Sequence, residues 1–174
     1  MFGLFWFGFF CLLSFWKASK RLLNMPPKLE WWQTESIYQI FIKSFYDSNG
    51  DGIGDFRGII EKLDYIKSIG CNIIWLTPCY PSDDKDGGYD IKNFVDVDPI
   101  YGSMDDFDDL VQKVHEKDMY ILLDFVPNHT SDKHEWFKQS CLNNDPENKY
   151  RDYYVWYESE DSVNPPNNWV FFIS

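Results

Sequence analysis

A chain of 174 residues with 44% hydrophobic and 25% charged side chains is long enough for one ordinary domain with a sizeable core. Its formal net charge of −12 argues against a nucleic-acid partner, because phosphate binding needs a basic face. Aromatic content is high at 20%, and flat rings serve both cores and sugar-lining clefts.

The segment from Met1 to Trp16 is apolar apart from Ser14, and Lys17, Lys20 and Arg21 follow it. It is short for a transmembrane helix, so residues 1–25 read as an apolar leader: a poor signal peptide, a misassigned exon before Met25, or a short anchor. The expected location is secreted, extracellular or membrane-associated. Cys11, Cys71, Cys79 and Cys141 show no zinc or redox spacing.

Ile37 to Phe45 reads as a strand from its β-branched and aromatic content. Phe56 to Ile69 reads as an amphipathic helix with Phe56, Ile59, Ile60, Leu63, Ile66 and Ile69 on one stripe, stopped by Gly70. Asn72 to Thr77 is a second, buried strand ended by Pro78. A long loop from Cys79 to Gly102 carries Gly87, Gly88, Tyr89 and Asp90. Ser103 with Asp106 opens a further helix as a capping box, with Met104, Phe107, Leu110, Val111 and Val114 facing inward. Tyr120 onward is a third strand, uncharged at first and expected to be buried on both faces. It should end near Val126, before Pro127, and deliver Asn128 and His129 into a site.

Strand, helix, strand, helix, strand implies a parallel sheet with right-handed crossovers, either doubly wound or closed into a barrel. After Thr130 the pattern breaks down, and residues 138–174 look irregular.

The loop Asp47-Ser-Asn-Gly-Asp-Gly-Ile-Gly-Asp55 carries the most specific chemical signal. Asp47, Asn49, Asp51 and Asp55 present oxygens at loop positions 1, 3, 5 and 9, Gly52 supplies the turn, and Ile53 offers its backbone carbonyl. Gly58 stands where a calcium-binding helix-loop-helix carries Glu, and a strand precedes the loop. The expectation is a structural Ca2+ or Mg2+ loop on a strand-to-helix connection. The plain alternative is a solvated Asn-Gly/Asp-Gly turn.

Taken together, several stretches resemble glycoside hydrolase family 13, the α-amylase family, and most closely its insect-type maltase or α-glucosidase branch. They are Trp31-Trp32, Ile37 to Ile40, Asp47 to Asp55, Ile74 to Pro78 and Gly88-Tyr89-Asp90. Tyr101-Gly102, Met104 to Phe107, Asp124 to Asp132, Glu135 to Phe137, Asp152 to Tyr154 and Pro165 to Trp169 complete the set. The resemblance implies the N-terminal part of a (β/α)8 TIM barrel, about three strands over residues 26–130. It also implies the start of a domain inserted after the third strand, over residues 131–174.

It further implies retaining hydrolysis of terminal α-1,4-linked glucose from maltose- or sucrose-like sugars. Tyr89 and Asp90 would hold the glucose by ring stacking and hydrogen bonds, and His129 would donate to the same sugar. Asp124 and Asn128 would stand behind them. No catalytic residue is expected here, because the nucleophilic and acid/base carboxylates come from later strands; these residues alone should hydrolyse nothing. The competing readings are a non-enzymatic ectodomain like that of amino-acid-transporter heavy chains, and a calcium-binding module. Asn128-His-Thr130 is a glycosylation sequon expected to stay unmodified at an inaccessible barrel mouth.

Overall fold

The computed structural model describes residues 29–142 and 147–156. The leader 1–25 and the Pro165 to Trp169 stretch lie outside them. The chain divides into two units, 1–36 and 37–174. In the first, Trp31–Gln33 forms a 3-10 turn, with Glu30 and Gln33 making a reciprocal capping box.

Strand β1, Ser36–Ile40, is shorter than its sequence suggests. The strand expected to run to Phe45 stops, and Ile42–Phe45 turns into a short helix, α1. Tertiary packing overrides the β-branched content here. The carbonyls of Lys43 and Tyr46 receive the amides of Gly54 and Asp55 at 2.8 and 3.1 Å, seating the acidic loop on α1. An extended strand would have carried those acceptors away.

Helix α2, Phe56–Ser68, buries Phe56, Ile59, Leu63 and Ile66. Asp55 caps it, accepting from the Gly58 amide at 2.6 Å. Gly58 also lets the helix approach α1, since a Cβ there would fall 2.0 Å from the Tyr46 carbonyl oxygen. Ile69, expected on the buried stripe, is exposed because it follows the last helical turn as the cap residue. Gly70 then takes the left-handed φ of +87° that ends the helix.

Strand β2, Cys71–Leu76, lies centrally in the order β1-β2-β3. Helix α3, Met104–Glu116, opens on the Ser103/Asp106 capping box and buries Leu110 and Val114, while Met104 at its first position stays exposed. Arg57 on α2 reaches Asp106 at 2.8 Å and also pairs with Asp109. The core joins Ile40, Ile42, Ile74 and Leu76 to the inner faces of α2 and α3.

Strand β3, Tyr120–Leu123, runs parallel to β2 with Ile73 opposite Tyr120 and Leu76 opposite Leu123. Two expectations need correction. Pairing ends at Leu123, not near Val126; one further bond, Asp124 amide to Leu76 carbonyl at 3.3 Å, closes it. The partner decides this, because Thr77-Pro78 ends β2 and proline has no amide to offer. Nor is β3 buried on both faces: Tyr120, Leu122 and Leu123 are 39%, 40% and 41% exposed. Among the described residues β3 is an outer strand with one neighbour. Helix α4, Glu135–Leu142, follows.

Candidate active site

The β1-to-α2 connection holds the acidic loop as a chain of side-chain-to-backbone turns. Asp47 accepts from the amides of Asn49, Gly50 and Gly52 at 3.1, 2.6 and 2.8 Å. Asn49 accepts from Asp51, and Asp51 from Ile53, both at 2.8 Å. These amides, that of Gly52 foremost, hold the Asp47 carboxyl below its usual range. Asp55 faces the other way, accepting from the Ser48 amide at 3.0 Å and hydroxyl at 2.8 Å as well as from Gly58. Asp47, Asn49 and Asp51 thus engage the loop's own amides, as in a turn, while Asp55 braces the loop against α2. Among the described residues no group of three or more His, Cys, Asp or Glu is placed to hold a metal ion.

The carboxyl ends of β2 and β3 converge on Asp124. One of its oxygens accepts from the Trp75 indole at 2.7 Å, the other from the Tyr89 phenol at 2.7 Å. Its main-chain carbonyl accepts from the Tyr80 hydroxyl at 3.0 Å. The hydrogen bond to Asp124, more than burial, pushes the Tyr89 phenol up to about 12. Tyr89 reaches this position over Gly87 and Gly88, whose φ values of +60° and +93° suit glycine. Its amide closes the turn on Asp86 O at 3.1 Å.

His129 sits across from that turn. Its Nε2 lies 3.2 Å from the Tyr89 carbonyl oxygen, and its Nδ1 lies 3.1 Å from the Asn128 side-chain amide. A neutral ring with the proton on Nε2 satisfies both contacts. Asp90 does not join this group. Its carboxylate accepts from Ser82 Oγ and from the amides of Asp83 and Lys85 at 3.1 and 3.2 Å, closing its own loop. The expected set thus divides: Tyr89, Asp124, Asn128 and His129 meet, and Asp90 holds the loop that carries Tyr89. Asn128 is exposed, so burial does not shield the sequon.

Beyond His129 opens a cleft of about 840 Å³, walled by Phe94, Phe125, Trp136, Phe137, Tyr153 and Tyr154. His134, buried and held below its ordinary pKa by desolvation, packs between Phe94 and Trp136 at 5.7 and 4.7 Å. Lys92 and Lys133 both pair with Asp83, and Lys85 lies 3.6 Å from Asp132. Two of these three ion pairs tie the Tyr89 loop to the segment after β3. Sequence reasoning passed over Trp75 and Tyr80 as site residues. Trp75 reads as core in an apolar strand; the usable signal is that a half-buried indole N–H needs an acceptor.

The family described as "Alpha amylase, catalytic domain" matches residues 39–174. This chain belongs to the α-amylase family. Its three-stranded sheet with α2 and α3 is the N-terminal part of that family's (β/α)8 barrel. The oligo-1,6-glucosidase of Bacillus cereus is 49% identical over 140 residues, covering 80% of this chain and 25% of its own. The alpha-glucosidase of Apis mellifera is 47% identical, over 92% of this chain and 28% of its own. The human amino acid transporter heavy chain SLC3A1 is 43% identical, over 96% of this chain and 24% of its own. The solved trehalose-6-phosphate hydrolase of Bacillus licheniformis matches with a TM-score of 0.76 at 46% identity, over 81% of this chain and 25% of that one. The chain spans about a quarter of the length of the curated relatives it matches.

Proposed function

We propose that these residues form the sugar-gripping part of a retaining α-glucosidase of maltase type, acting on terminal α-1,4-linked glucose in maltose- or sucrose-like sugars. The supporting observation is the meeting of Tyr89, Asp124 and His129 at the carboxyl ends of β2 and β3, beside an aromatic-walled cleft. Barrels of this class keep their sites at that end of the strands. A neutral sugar is held by a ring face together with hydroxyl donors and acceptors.

Asp124 serves in this reading to hold the Trp75 indole and the Tyr89 phenol in place, one on each of its oxygens. The retaining pair, about 5 Å apart across the scissile bond, comes from strands outside these residues. The 174 residues alone therefore bind sugar without cleaving it. Ca2+ or Mg2+ would be held by Asp47, Asn49, Asp51 and the Ile53 carbonyl, with Asp55 behind them, and would pin the loop. The location is secreted, extracellular or membrane-associated. Among the described residues no helix is long and apolar enough to cross a membrane.

Calorimetric titration of the purified chain with maltose, sucrose and isomaltose tests this reading. Maltose should bind, His129→Ala should weaken it about tenfold, equivalent to about 1.4 kcal/mol, and no glucose should be released. Stronger binding of isomaltose would overturn the linkage, and glucose release would overturn the inactivity. The second reading, a transporter heavy-chain ectodomain, is favoured by one observation: alignment with the human heavy chain over 96% of this chain. It predicts no sugar binding at all.

A further inference from the structure

We propose that Trp75 is a positioning residue, acting through Asp124 to fix the Tyr89 ring at the mouth of the site. This rests on the sugar-binding reading only for what Tyr89 grips; the clamp itself is a matter of geometry.

A carboxylate on one strand end has several ways to turn. Asp124 is held in one of them by four separate bonds. Its amide donates to the Leu76 carbonyl at 3.3 Å, and its own carbonyl accepts from Tyr80 at 3.0 Å, which fixes the main chain where β3 ends. The Trp75 indole then takes one carboxylate oxygen and leaves the second directed at the Tyr89 phenol, each at 2.7 Å. Trp75 lies opposite Leu122 in the sheet register, so the backbone that carries its ring is fixed by parallel pairing and not by a loop. Tyr89, in contrast, stands on a turn built over two glycines. Its ring orientation therefore depends on where the phenol is anchored.

A charge-assisted bond to a carboxylate is shorter and stronger than a neutral one. Two donors on opposite oxygens stop the carboxylate from swinging between rotamers. Removing the indole N–H leaves one anchor, and the phenol bond is then made only part of the time. Rigid support of a contacting side chain by such a neighbour is what keeps a site within the tolerance that binding needs. Tyr80 acts on the main chain at the same residue. It in turn packs on Phe94 at 6.0 Å, linking the clamp to the wall of the aromatic cleft.

The test is reciprocal and needs no sugar. The chain is labelled with 13Cζ-tyrosine and 15N-indole tryptophan, and Tyr89→Phe and Trp75→Phe identify the two signals. Trp75→Phe should shift the Tyr89 13Cζ resonance at neutral pH, because the phenol loses a fixed carboxylate partner. Tyr89→Phe should shift the Trp75 indole N–H resonance, and Asp124→Asn should disturb both. A Tyr89 resonance unchanged in folded Trp75→Phe overturns the proposal. So does an indole resonance that ignores Tyr89→Phe, which decides the matter if circular dichroism shows Trp75→Phe to be unfolded.

A second arm titrates methyl α-D-glucoside into the wild type and Trp75→Phe. The variant should lose about tenfold in affinity, the scale of one charge-assisted contact. Equal affinity in the two proteins overturns the role of Trp75 in sugar holding. A wild type that binds no glucoside sinks the sugar reading instead, while the two NMR measurements still decide the clamp.

Discussion

The helical side of the molecule and the β3 side are held in different ways. On the helical side, α2 and α3 present Phe56, Ile59, Leu63, Ile66, Leu110 and Val114 to the sheet, all of them fully buried. Caps at Asp55 and Ser103 and the Arg57 pairs with Asp106 and Asp109 agree with that packing. On the β3 side, Tyr120, Leu122, Leu123 and Phe125 are exposed, Phe125 by 81%. Order there comes from discrete polar links: Asp124 to Trp75 and Tyr89, His129 to Tyr89, and Lys133 to Asp83. Apolar burial supplies stability without direction, whereas hydrogen bonds supply direction with little net stability. The half that carries the proposed sugar-gripping residues is the half built from directional links.

The largest expected effect breaks this comparison at its strongest point. Phe56→Ala should cost about 3–5 kcal/mol in urea unfolding, as a buried aromatic deleted from a packed core. Phe125→Ala, at an exposed position, should stay within about 0.5 kcal/mol. Similar costs for the two would show that β3 is packed as tightly as the helices.

Next comes the acidic loop, which belongs to the helical side through Asp55. Calcium at a hundredfold excess over its Kd should stabilise the fold by about 2.7 kcal/mol. Asp47→Ala should abolish that rise in unfolding midpoint, and should also lower the metal-free midpoint, because the amides of Asn49, Gly50 and Gly52 lose their acceptor. A midpoint that ignores calcium would leave the loop as a solvated turn.

The smallest effect is electrostatic, and each side contributes one group to the acid limit and one to the alkaline limit. Lys133, then Lys92, holds Asp83 at about 2; Ser103, then Arg57, holds Asp106 at about 2. A carboxyl whose folded value lies below its unfolded value stabilises the fold at higher pH. That contribution is complete above about pH 4 and is lost as pH falls to about 2. Tyr89, through Asp124, and Tyr101, through burial, are raised to about 12. They stabilise the fold below about pH 10 and lose that contribution as pH rises toward 12. Unfolding midpoints recorded across both limits should fall at each end. Asp83→Asn should reduce the acid-side loss and leave the alkaline side unchanged; a profile indifferent to that substitution would deny the Asp83 link its role.

Much of the fold was legible because local signals and tertiary packing agree. The α2 and α3 stripes, the Ser103/Asp106 box and the Gly70 stop each depend on residues within one or two helical turns of each other. The alternation of strands and helices implied the parallel sheet, and the motifs implied the barrel family. Three features depended on a distant partner and were misread. Ile42–Phe45 is helical because the loop amides of Gly54 and Asp55 seat on the carbonyls of Lys43 and of Tyr46 just after it. Pairing of β3 stops where β2 meets Pro78, and its side chains are exposed because it is an outer strand.

The site divides along the same line. The sequence determined which side chains come to the strand ends, since Asp124, Asn128 and His129 follow β3 directly and Gly87-Gly88 announce the turn before Tyr89. Only tertiary structure decided what each of them touches. Asp90 lies next to Tyr89 in the chain, yet its carboxylate closes on Ser82, while Trp75, 49 residues before Asp124, reaches its oxygen. Spacing along a chain fixes which residues are near one another in a turn or helix, but a hydrogen bond is a condition on distance and angle in space. Strand pairing brings such partners together, and no local pattern records it.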